Sequence, residues 1–174
     1  MRKVTFGGAN SVDNFFARKD DAVDWLKWSP EVAEISNEYW KTIDTVLMGR
    51  RTFEVAKSAY PGVKNYVCSR TLKHDPAENV ELVSGDAADF VRELKNQPGK
   101  GICVIGGGLL AKSLLEVGLI DELGMNIQPV LLGSGIPLFH QMEKQIDLEL
   151  LESKVLKNGC VYVLYRVLHD VAQS

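Results

Sequence analysis

Several features that would mark a special class of protein are missing from this sequence. The N-terminal segment MRKVTFGGANS has no apolar run long enough for a signal peptide, and no later segment is apolar over the length needed to span a bilayer. The net charge is only -3 over 174 residues, which gives no electrostatic reason to bind nucleic acid or an anionic membrane. We therefore expect a cytoplasmic protein that binds neither nucleic acid nor a membrane.

Cysteine and histidine are scarce, and neither residue type has the spacing of a metal or redox site. The sequence has three of each. An odd cysteine count without a Cys-x-x-Cys pattern argues against a disulfide framework. The cysteines lie in apolar segments at Cys68, Cys103 and Cys160. They are interpreted as buried, reduced thiols, which suits a cytoplasmic protein, and no metal site is predicted.

The segments that are present alternate between strand and helix signals. Short runs rich in Val or Ile, bounded by Gly, Asp, Asn or Ser, predict strands. These runs are KVTFGGA, DTVLMG, KNYVCS, NVELVS and GICVIGG, followed by ELGMNIQPVLLG, IDLELLESKVL and CVYVLYRVL. The alternation with helices lasts to about residue 120, after which only strands follow. This order predicts one α/β domain over residues 1–174, with a mostly parallel sheet and an antiparallel C-terminal strand.

Four segments between the strands carry helix signals. They are SPEVAEISNEYWKTI, RTFEVAKSA, DAADFVRELKNQ and LLAKSLLEVG. Ser29 is a predicted N-cap with Pro30 at the first helical position, and the third helix begins at Asp86. Gly118 is predicted to end the fourth helix in a left-handed conformation.

Three stretches that follow strands could hold a phosphate-bearing cofactor. In VLMGRRTFE, residues 46–54, a strand ends at Gly49 and a helix opens with Arg50, Arg51 and Thr52, a combination that favours an anion. In VCSRTL, residues 67–72, another strand is followed by Ser69 and Arg70. Parallel strands place such ends on one edge of the sheet, where ligands bind.

The third stretch is ICVIGGGLLAKSLLE, residues 102–116. Gly106, Gly108 and Ala111 formally match the dinucleotide fingerprint G-x-G-x-x-G/A. The match lies past the middle of the chain, with no second nucleotide-binding half after it, which argues against a Rossmann enzyme. Glycine still lets the backbone approach a pyrophosphate closely.

Taken in this order, the three stretches resemble the dihydrofolate reductase superfamily. The nearer resemblance is to the reductase domain at the C-terminal end of bifunctional riboflavin-biosynthesis enzymes and its stand-alone relatives. DTVLMGRRTFE is the most specific part, and VIGGGLLAKSLLEVGLIDEL followed by IQPVLLGSGIPLF points to the riboflavin-type branch. SVDNFFA followed by DWL is similar to the loop that closes over the nicotinamide in that superfamily. The resemblance implies a dihydrofolate reductase-like fold.

The resemblance also implies NADPH as cofactor and assigns residues to it. The residues implied to bind NADPH phosphates are Gly49, Arg50, Arg51 and Thr52, while Ser69 and Arg70 match positions beside the adenosine ribose and its 2′-phosphate. Gly106, Gly107 and Gly108, with the helix start at Leu109 and Leu110, match the pyrophosphate cradle that borders the nicotinamide. Ala9 and Phe16 match positions near the nicotinamide ring.

Two departures from the superfamily bear on the substrate. Counting back from VLMGRRTFE without gaps puts Ala33 where dihydrofolate reductases carry an acidic residue, and Ala111 replaces a tyrosine. A one-residue gap would put Glu34 at the acidic position. Glu34 is therefore one candidate substrate contact, and Trp25, which lies in the segment that resembles the active-site loop, is the other. The sequence identifies no catalytic proton donor.

The resulting expectation is an NADPH-dependent reductase of a pyrimidine- or pteridine-like small molecule. A non-catalytic NADP(H)-binding protein and a dihydrofolate reductase are the alternatives. The relatives that the chain resembles commonly dimerise, and the apolar segment PVLLGSGIPLF has the character of an exposed loop. A homodimer is therefore expected.

Overall fold

An eight-stranded sheet runs through the whole molecule in the computed structural model, which describes residues 1–106 and 108–169. Its strands are β1 Val4–Ser11, β3 Ile43–Gly49, β4 Lys64–Cys68, β5 Val80–Val83, β6 Gly101–Ile105, β7 Glu122–Gln128, β9 Leu148–Val155 and β10 Val161–Val167. A second, two-stranded sheet joins β2 Phe15–Ala17 to β8 Ile136–Pro137.

The strand order in the large sheet is β5-β4-β3-β6-β1-β7-β10-β9. Every neighbouring pair from β5 to β7 is parallel, whereas β10 is antiparallel to both β7 and β9. The predicted α/β class, with its mostly parallel sheet and antiparallel C-terminal strand, is confirmed. The order also shows that the chain begins in the middle of the sheet and builds outward in both directions.

Among the described residues, four helices connect the parallel strands, and their ends follow the predicted local chemistry. They are α1 Pro30–Lys41, α2 Arg50–Ala56, α3 Ala87–Asn96 and α4 Gly108–Glu116. The Ser29 hydroxyl accepts from the N–H of Val32, and the Asp86 carboxylate accepts from two N–H groups of α3, as expected of N-caps. Gly118 has φ +68 and ends α4 in the predicted left-handed conformation.

The helices cover both faces of the sheet. On one face, α3 and α4 pack over the largest core cluster, which includes Phe6, Leu47 and Val104. On the other face, α1 and α2 lie over a second cluster that contains Val46 and Met48. Because side chains alternate along a strand, β3, β4, β5 and β6 contribute to both clusters, whereas β1 and β7 contribute to the first one. Strands β3 to β6 are therefore apolar on both sides.

Two features differ from the sequence-based expectation. The strand expected over ELGMNIQPVLLG ends at Gln128, because Pro129 has no N–H with which to continue the ladder. The strands β2 and β8 are only three and two residues long, which is too short for a periodic pattern. Within the described part of the chain, no helix is long and apolar enough to cross a membrane.

Candidate functional site

The predicted cofactor residues lie at the carboxyl edge of four neighbouring parallel strands. In the order β4-β3-β6-β1, Gly49 pairs with Cys68, and Met48 pairs with Ile105. The turns after β4, β3 and β6 therefore start at nearly the same position along the strand direction. Adjacent strands are about 4.8 Å apart, so the four strand ends span roughly 14 Å of the edge. This is the edge at which open α/β sheets bind their ligands.

Gly106 makes the closest approach between two of the predicted stretches. It is buried, has φ +76, and follows the last residue of β6. A Cβ at this position would lie 2.8 Å from the Cβ of Thr52 and closer still to the Thr52 hydroxyl and methyl groups. The turn after β6 thus rests directly on the first turn of α2. Only glycine combines this conformation with this contact.

The turn between β3 and α2 is open and basic. Gly49 is the N-cap of α2 without a side-chain capping bond, and a Cβ there would meet no atom within 4 Å. Arg50 and Arg51 are exposed at the start of α2. Arg50 pairs with Glu54 at 3.1 Å, and Arg51 pairs with Asp21 of the β2–α1 connection through two hydrogen bonds of 3.0 and 3.1 Å. Both arginines are thus paired with carboxylates.

The turn after β4 presents an exposed cation, Arg70. The Ser69 hydroxyl accepts from the N–H groups of Thr71 and Leu72, both at 3.2 Å, which fixes a tight turn. Arg70 is exposed and makes no hydrogen bond or ion pair with any residue that the structure describes. The neighbouring Cys68 is no nucleophile, because burial raises the pKa of its thiol to about 12. Arg70 is therefore the cation in this turn that is available to a ligand.

The start of α4 lies against the segment that follows β8. Gly108 is buried, and a Cβ there would lie 2.6 Å from the carbonyl oxygen of Leu138 and 2.7 Å from the ring of His140. Leu109 is 68% exposed at the edge, whereas Leu110 packs against the core. Gly107 lies outside the described residues, so its assignment stays a prediction. The contact with Leu138 and His140 had no signal in the sequence.

The two residues expected near the nicotinamide are close to each other in the chain but belong to different sheets. Ala9 is on β1 and pairs with Asn126 of β7. Phe16 is on β2, and its ring would lie 3.2 Å from a Cβ on Gly8. Phe16 therefore packs over the end of β1 on the α4 side, where the main core cluster begins. Both residues border the same carboxyl edge as Gly106.

The two candidate substrate contacts lie in different environments. Trp25 is 9% exposed, and its indole Nε1 is buried without a hydrogen-bond partner among the described residues. Glu34 is exposed and lines a cavity of about 770 Å³ that runs between α1 and the antiparallel end of the sheet. Glu31, Glu38, Glu122 and Glu152 also line it. Lys3 and Lys154 line the same cavity, so Glu34 lies among charges of both signs.

A second cavity, of about 550 Å³, lies at the opposite edge of the sheet, beside the amino ends of β3 and β4. Arg2, Asp44 and Asn65 line it, and their side chains bond to one another or to nearby backbone. These groups have structural partners already. Residues 1–106 and 108–169 contain no group of three or more His, Cys, Asp or Glu that could hold a metal ion.

Comparison with known proteins identifies a family and two relatives that resemble this chain over most of its length. A family model described as the RibD C-terminal domain matches residues 2–162. The uncharacterized protein YwjB of Bacillus subtilis (strain 168) is 32% identical over 159 residues, which cover 88% of this chain and 91% of YwjB. The uncharacterized protein YyaP of the same organism is 29% identical over 181 residues, 95% of each chain.

Solved structures show the same fold. A protein from Shewanella sp. PV-4, provisionally named as a riboflavin biosynthesis protein, has a TM-score of 0.83 at 27% identity and covers 97% of this chain and 100% of that one. Dihydrofolate reductase from Enterococcus faecalis, in complex with NADP(H), has a TM-score of 0.71 at 19% identity and covers 96% and 97%. The predicted dihydrofolate reductase-like fold is confirmed.

Proposed function

Because the chain belongs to the RibD C-terminal domain family, we propose that it is an NADPH-dependent reductase of a pyrimidine- or pteridine-like heterocycle. The observation that carries this proposal is the contact between Gly106 and Thr52 at the carboxyl edge of the sheet. It joins two turns that are more than 50 residues apart in sequence into one surface with backbone, hydroxyl and guanidinium groups. Such a surface suits an extended anion that the backbone must approach closely.

The residues present fit a nicotinamide dinucleotide phosphate. Gly49 leaves open space beside the N–H groups at the start of α2, and Gly106 has no side chain to fill the turn after β6. Arg70, which has no ion-pair partner among the described residues, would face the 2′-phosphate, with Ser69 fixing the turn that carries it. Arg51 would exchange Asp21 for a phosphate. The cofactor supplies the hydride, and the protein binds and orients it.

A non-catalytic NADP(H)-binding protein is the second candidate, since the described part of the site shows no assigned proton donor. Asp13, which lies in the turn between β1 and β2, is a poor donor. Its pKa is held below the usual range, first by a hydrogen bond with Ser11 and further by the N–H groups of Gly133 and Leu132. Multiple-turnover oxidation of NADPH in the presence of a heterocyclic acceptor separates the two candidates. A reductase turns over repeatedly, and a binding protein does not.

NADPH is expected to bind more tightly than NADH, and Arg70→Met is expected to remove most of this preference. A hydrogen bond to a charged group contributes about 1.5–3 kcal/mol, so losing one at the 2′-phosphate weakens NADPH about ten- to a hundredfold and leaves NADH unchanged. Titration calorimetry with both cofactors measures the ratio. Arg92→Met, which removes an exposed arginine of α3, is the matched control. Equal affinities of the wild type for NADPH and NADH would contradict the assignment.

We also propose a homodimer in which β9 pairs with β9 of a second copy. As the edge strand of the large sheet, β9 leaves backbone groups unpaired, and most of its side chains are exposed, including Leu150 at 53% and Val155 at 85%. Antiparallel pairing centred on Ser153 would place Glu152 of one copy opposite Lys154 of the other, twice. Opposite charges directly across a ladder are stabilising. By contrast, the segment PVLLGSGIPLF exposes Leu131 but buries Leu138.

Val155→Lys is expected to dissociate this dimer. In this register Val155 would lie opposite Leu151 of the other copy, so the new lysine adds charge to an apolar contact. Sedimentation should report a species of twice the chain's 19.3 kDa for the wild type and the single chain for the variant. Val117→Lys, at another exposed valine, should leave the mass unchanged. A wild type that sediments as a single chain at micromolar concentration would refute the dimer.

A further inference from the structure

The carboxylate of Asp13 joins two turns that are about 120 residues apart in the sequence. Asp13 lies between β1 and β2, and its Oδ1 and Oδ2 accept from the N–H groups of Leu132 and Gly133 at 3.1 and 2.8 Å. The preceding residue adds one backbone bond, in which the N–H of Val12 donates to the carbonyl of Val130 at 2.9 Å. Both oxygens of Asp13 therefore hold the connection between β7 and β8 against the end of β1.

The two ends of this connection are held in different ways. At its far end Leu138 is 1% exposed, and its N–H donates to the carbonyl of Asn14 at 2.9 Å. Next to Leu138 lies β8, which has only two residues, and one of them is Pro137, which has no N–H for the ladder. At the near end Leu131 is 70% exposed, so burial does not fix it. The near end therefore depends on polar bonds, and Asp13 supplies two of them.

The segment that Asp13 holds borders the nicotinamide half of the proposed cofactor site. The carbonyl oxygen of Leu138 faces Gly108 at the start of α4, where a Cβ would come within 2.6 Å of it. The partner strand of β8 is β2, which carries Phe16 beside the end of β1. Arg70, assigned to the 2′-phosphate, follows β4, and both β3 and β6 lie between β4 and β1. A change at Asp13 is therefore expected to act on the nicotinamide end and not on the adenosine end.

The position needs a carboxylate, because three donors converge on one side chain. The Ser11 hydroxyl donates to Asp13, as do the N–H groups of Gly133 and Leu132, and these bonds hold the pKa of Asp13 below its usual range. An ionised carboxylate only accepts hydrogen bonds, so it suits all three donors. An asparagine would offer one acceptor oxygen and turn the donor NH₂ group towards a remaining N–H. The change Asp13→Asn thus keeps the size of the side chain and breaks its fit.

We propose that Asp13 is a positioning residue for the nicotinamide half of the cofactor. Its carboxylate fixes segment 130–138 on the turn between β1 and β2, and this sets Phe16 and Leu138 against the end of β1 and the start of α4. Its loss would let the segment move without removing any group assigned to the cofactor. This inference rests on the proposed function, and it adds to the same site a residue that acts only through its neighbours.

The test compares NADPH with adenosine 2′,5′-bisphosphate, the part of the cofactor that carries the adenine and the 2′-phosphate but no nicotinamide. Titration calorimetry on Asp13→Asn should show NADPH binding weakened by at least about tenfold, since losing a hydrogen bond to a charged group has an effect of this size. The affinity for the bisphosphate should stay within about twofold of the wild type, because distant sites act independently. A role in folding stability alone would not separate the two ligands.

Asp44→Asn is the matched control. Asp44 lies at the opposite edge of the sheet, where its carboxylate accepts from the N–H of Lys100 at 2.7 Å and pairs with the buried Arg2. This variant should unfold at a lower temperature than the wild type and bind both ligands within about twofold of it. An Asp13→Asn protein that loses both ligands equally, or that keeps the wild-type affinity for NADPH, overturns this inference alone. So does a selective loss of NADPH in Asp44→Asn. A wild type without affinity for NADPH overturns the proposed function itself.

Discussion

Replacing Gly106 by alanine is expected to weaken NADPH binding by about a hundredfold or more. The new methyl group would overlap Thr52, so the turn after β6 must move away from α2 by an amount on the order of 1 Å. Misplacing a site by about this distance can cost about a hundredfold. The left-handed backbone at φ +76 adds about 1–2 kcal/mol of strain for any residue with a Cβ. Fluorescence titration with NADPH measures the loss.

Gly62→Ala is the matched control for this experiment. Gly62 has the same φ of +76, but a Cβ there would meet no atom within 4 Å, and it lies at the opposite edge of the sheet. The Gly62→Ala variant should be destabilised by a similar backbone strain and should keep the affinity of the wild type for NADPH. If the two variants bound NADPH equally well, the turn after β6 would not belong to the cofactor site.

Dihydrofolate is expected to be a poor substrate, because the position that matches the superfamily's acidic residue is Ala33. Reducing an imine needs a proton as well as a hydride, and general acid assistance contributes about 10²–10⁴-fold. One residue along a helix turns the side chain by about 100°. The neighbouring Glu34 lines the cavity beside the antiparallel end of the sheet, together with four other glutamates. Glu34 is therefore expected not to replace the missing acid.

The test is a turnover assay with dihydrofolate and NADPH on the wild type and on Ala33→Asp. The wild type should turn over far more slowly than about 10 s⁻¹, the median for enzymes, and the aspartate variant should gain activity. Ala33→Asn, which is the same size but donates no proton, should gain none. A wild-type rate on the order of 10 s⁻¹ would mean that another group supplies the proton and that dihydrofolate reduction is an activity of this chain.

Local elements of the fold were predictable where one residue type decides the backbone. Ser29 and Asp86 begin helices because a short polar side chain satisfies free N–H groups at the first turn. Gly118 ends one because a left-handed residue closes the last turn. The strands β2 and β8 were not predictable, since their pairing joins segments about 120 residues apart and each is too short to show alternation.

The candidate site was predictable only in part, for a related reason. Turns rich in Gly, Arg and Ser after apolar strands can be recognised in the sequence, because a buried strand carries its polar residues at its ends. The assignment of residues 1–174 to a single domain stays a prediction.

By itself, the sequence determined the α/β class, the parallel direction of the first strands and the three polar turns that would face one edge. These follow from patterns within about 20 residues, where periodicity and capping act. The tertiary structure alone decided the order β4-β3-β6-β1, and with it the contact of Gly106 with Thr52. Strand order is set by packing between distant segments, and many orders share the same local patterns.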